Sequence, residues 1–282
     1  MTIGAAWRGV RDLFRRAGIE TPELDARLLA EVAFGLDRLE LVNREREPAP
    51  PDALAKMQQM AERRLRGEPV TRILGEREFF GLTFKLNEAT LVPRPETEML
   101  VVRTLQLLEG RARKRILDLG TGSGCIAVSV LTESPSATAI GVDLANDAIL
   151  AAEGNAERHG VAKRFEARKG SWFDALQAGE TFDVIVSNPP YIESATIGTL
   201  KPEVKDHDPH LALDGGPDGL DAYRAIIAQA PVWLKPDGWV VVEVGADQGH
   251  LVKALFTKAG LVEVAIEKDL AGLDRMVVGH HS

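Results

Sequence analysis

The stretch Ile116-Leu117-Asp118-Leu119-Gly120-Thr121-Gly122-Ser123-Gly124 decides the fold. Arg115 to Leu119 reads as a strand, three alternate glycines follow, and Cys125 to Leu131 continues as an apolar helix. Glycine lets the backbone turn sharply and lets a ligand lie against the main chain at the carboxyl edge of the strand. The spacing is G-x-G-x-G, whereas a dinucleotide fold usually shows G-x-G-x-x-G. A pyrophosphate ligand therefore fits less well than a nucleoside ligand without phosphates.

Asp143 ends the next strand, Thr138 to Val142, and lies 19 residues after Gly124. A carboxylate there can accept hydrogen bonds from both ribose hydroxyls of a nucleoside, or it can cap the helix that starts near Asn146. Paired with the glycine loop, binding is the favoured reading, and S-adenosylmethionine is a ligand of the right kind. Asp118 either holds the glycine loop through backbone amides or faces the methionine amine; the sequence fits both.

Working outward, strands and helices alternate. Asp147 to Arg158 reads as a helix, and Phe165 to Arg168, Phe182 to Ser187 and Trp239 to Val244 as strands. Helices at Leu220 to Trp233 and Gln248 to Ala259 cover the sheet, which Val262 to Ile266 and Met276 to Val278 complete. Repeated βα units call for an α/β fold with a mostly parallel, doubly wound sheet. Upstream, Thr21-Pro22-Glu23 starts a helix that Gly35 closes, and a second helix follows Pro50-Pro51 with Leu54, Met57, Ala61 and Leu65 on one stripe. Phe80, Leu82, Phe84 and Leu86 alternate as in a hairpin. The expected organisation is a helical domain over residues 1–68, a β-hairpin linker over 69–90 and the α/β domain over 91–282.

At the end of the apolar strand Phe182 to Ser187, and 64 residues beyond Gly124, stands Asn188-Pro189-Pro190-Tyr191. Consecutive prolines stiffen the turn and leave carbonyls without neighbouring N–H groups, and the asparagine adds an oxygen acceptor. A planar –NH2 group, from a side-chain amide or an adenine, could give one hydrogen to Asn188 and the other to the Pro189 carbonyl. Tyr191 could stack on it.

At these residues the chain resembles the PrmC (HemK) family of S-adenosylmethionine-dependent glutamine methyltransferases, which modify N5 of the Gly-Gly-Gln glutamine in class I peptide chain release factors. The resemblance spans nearly the whole length. It includes Leu91-Val92-Pro93-Arg94-Pro95-Glu96-Thr97-Glu98 ahead of the catalytic domain, a segment in which the ribosomal-protein branch differs. It implies a Rossmann-like class I methyltransferase domain with a seven-stranded sheet that ends in an antiparallel strand. By position, cofactor contacts fall on Gly120, Thr121, Gly122, Ser123, Gly124, Asp143, Trp172 and Asn188. The glutamine pocket falls on Asn188, Pro189, Pro190 and Tyr191, with Asn188, Pro189 and Tyr191 as the catalytic set. S-adenosyl-L-homocysteine is the implied product and a release factor the implied partner, docked by the helical domain. Arg94 and Glu96 either shape the floor of the site or cap the helix near Pro95.

The rest of the composition narrows the alternatives. Net charge is −8, and residues 1–90 hold 15 basic and 15 acidic side chains, so the α/β portion carries the whole excess. That disfavours an N6-adenine methyltransferase, which would have to grip phosphates and flip a base. The intact Asn188 turn disfavours a silent binding module, and the glycine spacing disfavours an NAD-binding protein. One cysteine, Cys125, permits no internal disulfide. With no run of roughly 18 apolar residues and no signal peptide, a cytoplasmic protein away from membranes is expected. Several charged features have ordinary explanations. Arg63, Arg64, Arg66, Arg72 and Arg77 read as a solvated helix end before a docking face. His207, Asp208 and His210 lie in an acidic loop where no metal is expected. His280 and His281 read as a frayed terminus, and Glu243 as a hydrogen-bonding support at the sheet's carboxyl edge.

Overall fold

The computed structural model describes every residue except 113. The described residues divide into two compact units, Met1–Gly75 and Glu76–Ser282, each with buried apolar clusters of its own. The first is helical, with α1 (Ile3–Arg16), α2 (Pro22–Phe34), α3 (Arg38–Asn43), α4 (Pro51–Leu65) and α5 (Val70–Leu74). Val70–Leu74, expected in the linker, is thus a helix of the first unit.

Proline opens α2 and α4, where its missing N–H is no loss, and Gly35 closes α2 in the left-handed region at φ 64. The Thr21 hydroxyl does not cap the helix backbone; it donates to Asp25 Oδ1 at 2.7 Å. Helix α4 buries Met57, Met60, Ala61 and Arg64, while Leu65, expected on the apolar stripe, is 39% exposed. The cause is a buried ion pair. Arg64 Nε donates to Asp25 Oδ2 at 2.7 Å, so a charged side chain occupies an inward position that apolar periodicity cannot reveal. Arg63 pairs with Glu68. The basic stretch is therefore no uniform charged face.

The second unit opens with a hairpin, β1 (Glu76–Phe79) and β2 (Leu82–Lys85). Phe80 and Gly81 both have positive φ, 52 and 72, the signature of a type I′ turn. Phe79 and Phe84 are buried in the same cluster as Leu100 and Ile126, so the hairpin belongs to the α/β unit. There follow α6 (Glu98–Leu107), β3 (Lys114–Leu119), α7 (Cys125–Glu133), β4 (Ala137–Asp143) and α8 (Asn146–Arg158). Next come β5 (Phe165–Lys169), β6 (Phe182–Ser187), α9 (Pro202–Lys205) and α10 (Asp221–Trp233). The chain ends with β7 (Leu234–Glu243), α11 (Gly249–Lys258), β8 (Val262–Lys268) and β9 (Asp274–His280).

The seven-stranded sheet has the order β5-β4-β3-β6-β7-β9-β8, parallel from β5 to β7, with β9 antiparallel to both neighbours. Strand residues alternate between two covered faces. Ile116, Val184 and Val241 join α7 and α8 in one cluster, while Leu117, Ile185 and Val240 join α10 and α11 in the other. Both faces being buried explains why these strands read as continuous apolar runs. Strand β7 begins at Leu234, ahead of the expected Trp239. It passes through Lys235-Pro236-Asp237-Gly238 with Asp237 at φ 61 and a register shift against β6 between Phe182 and Val184. His280 is not frayed: it ends β9 opposite Trp239, with ring centroids 4.6 Å apart.

Strand β3 lies between β4 and β6, so the chain winds away from it in both directions. The loops that leave β3, β4 and β6 emerge side by side at one carboxyl edge, where open α/β sheets bind ligands. No helix among the described residues is long and apolar enough to cross a membrane.

Candidate active site

The three loop glycines are left-handed, with φ 70, 55 and 78 at Gly120, Gly122 and Gly124. The Gly120 and Thr121 N–H groups donate to the Val142 carbonyl at 2.8 and 3.0 Å, which lays the turn across the end of β4. A Cβ on Gly124 would stand 3.1 Å from that of Ala152, so glycine there lets α7 begin against α8. Asn155, fully buried on α8, braces the same loop. Its Nδ2 donates to the Ser123 carbonyl at 2.8 Å and to the Lys85 carbonyl at 3.0 Å, while Oδ1 accepts from the Lys85 N–H at 2.8 Å.

Asp143 joins the loop to the next helix. Oδ2 accepts from the Gly122 N–H at 2.9 Å and Oδ1 from the Ala145 N–H at 3.0 Å, while burial pushes its carboxyl above the usual range. A carboxylate has about four acceptor positions, so these bonds leave lone pairs for further donors. Asp118 braces the glycine loop and the start of α7, through one hydroxyl and one backbone amide. Oδ2 accepts from the Thr121 hydroxyl at 2.8 Å and the Ala127 N–H at 3.3 Å. Oδ1 is buried with no hydrogen-bond partner among the described residues.

Burial raises the Asp118 carboxyl to about 7, so the folded chain keeps a proton that the unfolded chain releases near 3.8. That proton uptake stabilises the fold below the unfolded value and is lost as pH rises towards 7. Asp118→Asn removes the titration. Relative to this variant, the parent should therefore lose about 3 kcal/mol between pH 5 and pH 8. Urea unfolding of both proteins across that range measures it. A constant difference means the carboxyl titrates alike in the two states.

The turn after β6 faces these groups. The Ser187 hydroxyl donates to the Leu119 carbonyl at 2.7 Å and pins the ends of β6 and β3 together. Asn188 Nδ2 donates to Thr97 Oγ1 at 3.1 Å, and the Thr97 hydroxyl donates to Glu243 Oε2 at 2.6 Å. Glu243 is 4% exposed, and burial pushes it up to about 7, with the Thr97 and Asn188 hydrogen bonds acting in the opposite direction.

A cavity of about 350 Å3 connects these loops, large enough for a small-molecule ligand. Gly120 to Ser123, Asp143, Trp172, Asn188 and Pro190 border it, and so do Arg94 and Thr97. Trp172 sits at φ 48, a strained conformation for a bulky residue, and packs on the apolar cluster beneath the cavity. Gly124 and Pro189 do not border it: Gly124 packs on Ala152, and Pro189 is buried. Tyr191 is also set back. Its ring packs with the α10–α11 cluster, and desolvation raises its hydroxyl to about 12, so it stays neutral. Arg94, at the cavity's border, donates to the buried Asp208 at 2.8 Å, whereas Glu96 is exposed.

Comparison with known proteins gives this geometry its context. Residues 5–75 match the PrmC N-terminal domain and 97–204 the methyltransferase small domain. The release factor glutamine methyltransferase of Bradyrhizobium diazoefficiens is 46% identical over 280 residues, covering 98% of this chain and 94% of that protein. Its counterpart in Caulobacter vibrioides is 42% identical over 279 residues, covering 99% and 96%. The chain belongs to the release factor glutamine methyltransferase family. Solved structures add the fold alone. The catalytic domain of hMettl16 in complex with the MAT2A 3'UTR hairpin 6 aligns at TM-score 0.61 and 16% identity, covering 76% of this chain and 81% of that one. A methyltransferase from Pyrococcus furiosus aligns at 0.51 and 17%, covering 72% and 91%.

Within this member of the family, sequence reasoning passed over three residues. Thr97 sits inside a proline-rich motif, Asn155 is one polar side chain on the apolar face of α8, and Asp208 lies between histidines in an acidic loop. Each has its partner 32 to 146 positions away, so no local pattern marks it.

Proposed function

We propose that this protein transfers a methyl group from S-adenosyl-L-methionine to the side-chain amide nitrogen, N5, of the Gly-Gly-Gln glutamine in class I peptide chain release factors, releasing S-adenosyl-L-homocysteine. The observation that carries the reading is that Asn188 borders the same cavity as the glycine loop and Asp143. A nucleoside site and a planar –NH2 site then share one space. The residues fit the cofactor: left-handed glycines offer an open main chain, Asp143 keeps spare acceptors, and the Trp172 indole gives flat apolar area for a purine.

The bound cofactor would supply an electrophilic methyl on a sulfonium. What remains for the chain is orientation and exclusion of water. An amide nitrogen is a poor nucleophile because its lone pair is delocalised. Asn188 Oδ1 would accept one of its hydrogens and favour the partly positive, pyramidal nitrogen that forms on attack, while Pro189, buried off the cavity, would hold the turn. As the N–C bond forms the S–C bond breaks, and the nitrogen's extra proton leaves to water. Tyr191, set back from the cavity, would support the turn from behind rather than stack on the substrate.

The identity to curated relatives favours this reading over an N6-adenine methyltransferase or a ribosomal-protein glutamine methyltransferase, and the −8 charge also disfavours the first of these. Cytoplasmic action fits the lone, buried Cys125. Incubation with radiolabelled S-adenosylmethionine and intact release factor should label the Gly-Gly-Gln glutamine, and incubation with DNA should label nothing. Label in DNA alone rejects the reading. Because each unit has its own core, deleting Met1–Gly75 should spare cofactor binding but lower methylation of intact release factor about tenfold or more, if the helical unit serves docking. Equal rates with and without it contradict that role.

A further inference from the structure

An asparagine amide is nearly symmetric in shape, and turning it over exchanges its oxygen with its –NH2. The proposed reaction works with only one of the two orientations: an acceptor at the reacting nitrogen helps, and a donor there blocks. Something must therefore decide the polarity of Asn188.

We propose that Thr97 and Glu243 are positioning residues that fix the Asn188 amide with Nδ2 turned towards them, leaving Oδ1 as the group presented to the substrate nitrogen. This rests on the reading of Asn188 as the acceptor for that nitrogen.

The argument is one of hydrogen-bond accounting. An ionised Glu243 accepts and never donates, and it is 4% exposed, so water does not satisfy it freely. The Thr97 hydroxyl, on a residue 2% exposed, has one proton and gives it to Glu243 Oε2 at 2.6 Å. Having no proton left, Thr97 Oγ1 can only accept, and it accepts from Asn188 Nδ2 at 3.1 Å. The Asn188 amide also helps hold the Glu243 charge, so its –NH2 serves both neighbours. Turned over, Oδ1 would face the Thr97 lone pairs and the carboxylate. In a buried setting such a mismatch is strongly disfavoured. Thr97 is placed for this by the short helix Pro95–Thr97 that leads into α6, and Glu243 by the end of β7. Two remote segments thus converge on one amide.

Thr97→Val keeps the shape and removes the hydroxyl. At pH 8, with both substrates saturating, kcat should fall roughly tenfold or more, while the KM for release factor and the calorimetric Kd for S-adenosylhomocysteine stay within about twofold. Thr97→Ser restores the hydroxyl and should recover most of the turnover. Glu243→Gln replaces a group that only accepts with one that also donates, which frees Thr97 to reverse; it should lose turnover too, with cofactor affinity kept. Asn188→Ala runs in parallel. If it is inactive while Thr97→Val and Glu243→Gln both turn over at the parental rate, the positioning role is wrong. If Thr97→Val loses activity that Ser does not recover, or loses cofactor affinity in step, the residue is merely structural and the proposal is also overturned. If Asn188→Ala itself stays active, the reading of the turn has failed instead.

Discussion

Asn188→Ala is expected to reduce turnover roughly 100-fold or more at saturating S-adenosylmethionine, as when a preorganised polar contact to a transition state is lost. The fold should survive the change. Pro189 and Pro190 set the backbone, and the Ser187 hydroxyl still ties β6 to β3. The deleted side chain takes the Asn188 amide away from Glu243 but leaves that carboxylate its short bond from the Thr97 hydroxyl. Single-turnover transfer of radiolabelled methyl to intact release factor measures the effect, with a melting curve to establish folding. Asn188→Asp is the more informative companion. It retains oxygen acceptors but sets a second carboxylate against a Thr97 hydroxyl that has one proton to give, beside a Glu243 already short of solvent. Its charge would also attract the sulfonium in the ground state as well as in the transition state. Weak residual activity from Asp and almost none from Ala is therefore expected. A near-parental rate from the Ala variant removes the turn from the chemistry.

The parts of this molecule that sequence made legible are those governed by local pattern. Ile116 to Gly124 carries a strand, left-handed glycines and a helix start within one window, and Phe182 to Tyr191 carries an apolar strand and a stiff turn. Covered strands read as apolar runs, so the sheet could be inferred before the topology was visible. The failures share one cause, compensation by a partner distant in sequence. Arg64 lies inward on α4 because Asp25 neutralises it, which displaces Leu65 from the stripe. Lys235-Pro236-Asp237-Gly238 looks like a break yet stays within β7, because a register shift absorbs it. At the site, Asn188 was legible as an acceptor and Glu243 as a hydrogen-bonding support, but their link through Thr97 was not. Thr97 and Glu243 stand 146 positions apart, so no local pattern joins them.

Asp143→Ala is expected to weaken S-adenosylmethionine binding by about 1–3 kcal/mol, or roughly 5- to 150-fold, through loss of a charged acceptor for the ribose hydroxyls. Two effects are folded into that number. The carboxylate also accepts from the Gly122 and Ala145 N–H groups, so its removal leaves two backbone donors of the loop without their partner. Asp143→Asn does not separate them. Its one oxygen can serve only one of those donors, and its –NH2 faces the other, so it should be about as weak as Ala. The ligand can separate what the side chain cannot. If Asp143 holds the ribose, the parent should bind adenosine more tightly than 2′-deoxyadenosine, and the Ala variant should bind the two alike. If the acid only braces the glycine loop, both ligands weaken together and their ratio is unchanged by the substitution, which is the logic of a double-mutant cycle. Calorimetric titration of the four combinations supplies the ratio. An unchanged affinity for the intact cofactor would take Asp143 out of the site altogether, and with it the claim that the β4 edge, rather than the glycine loop alone, selects a nucleoside.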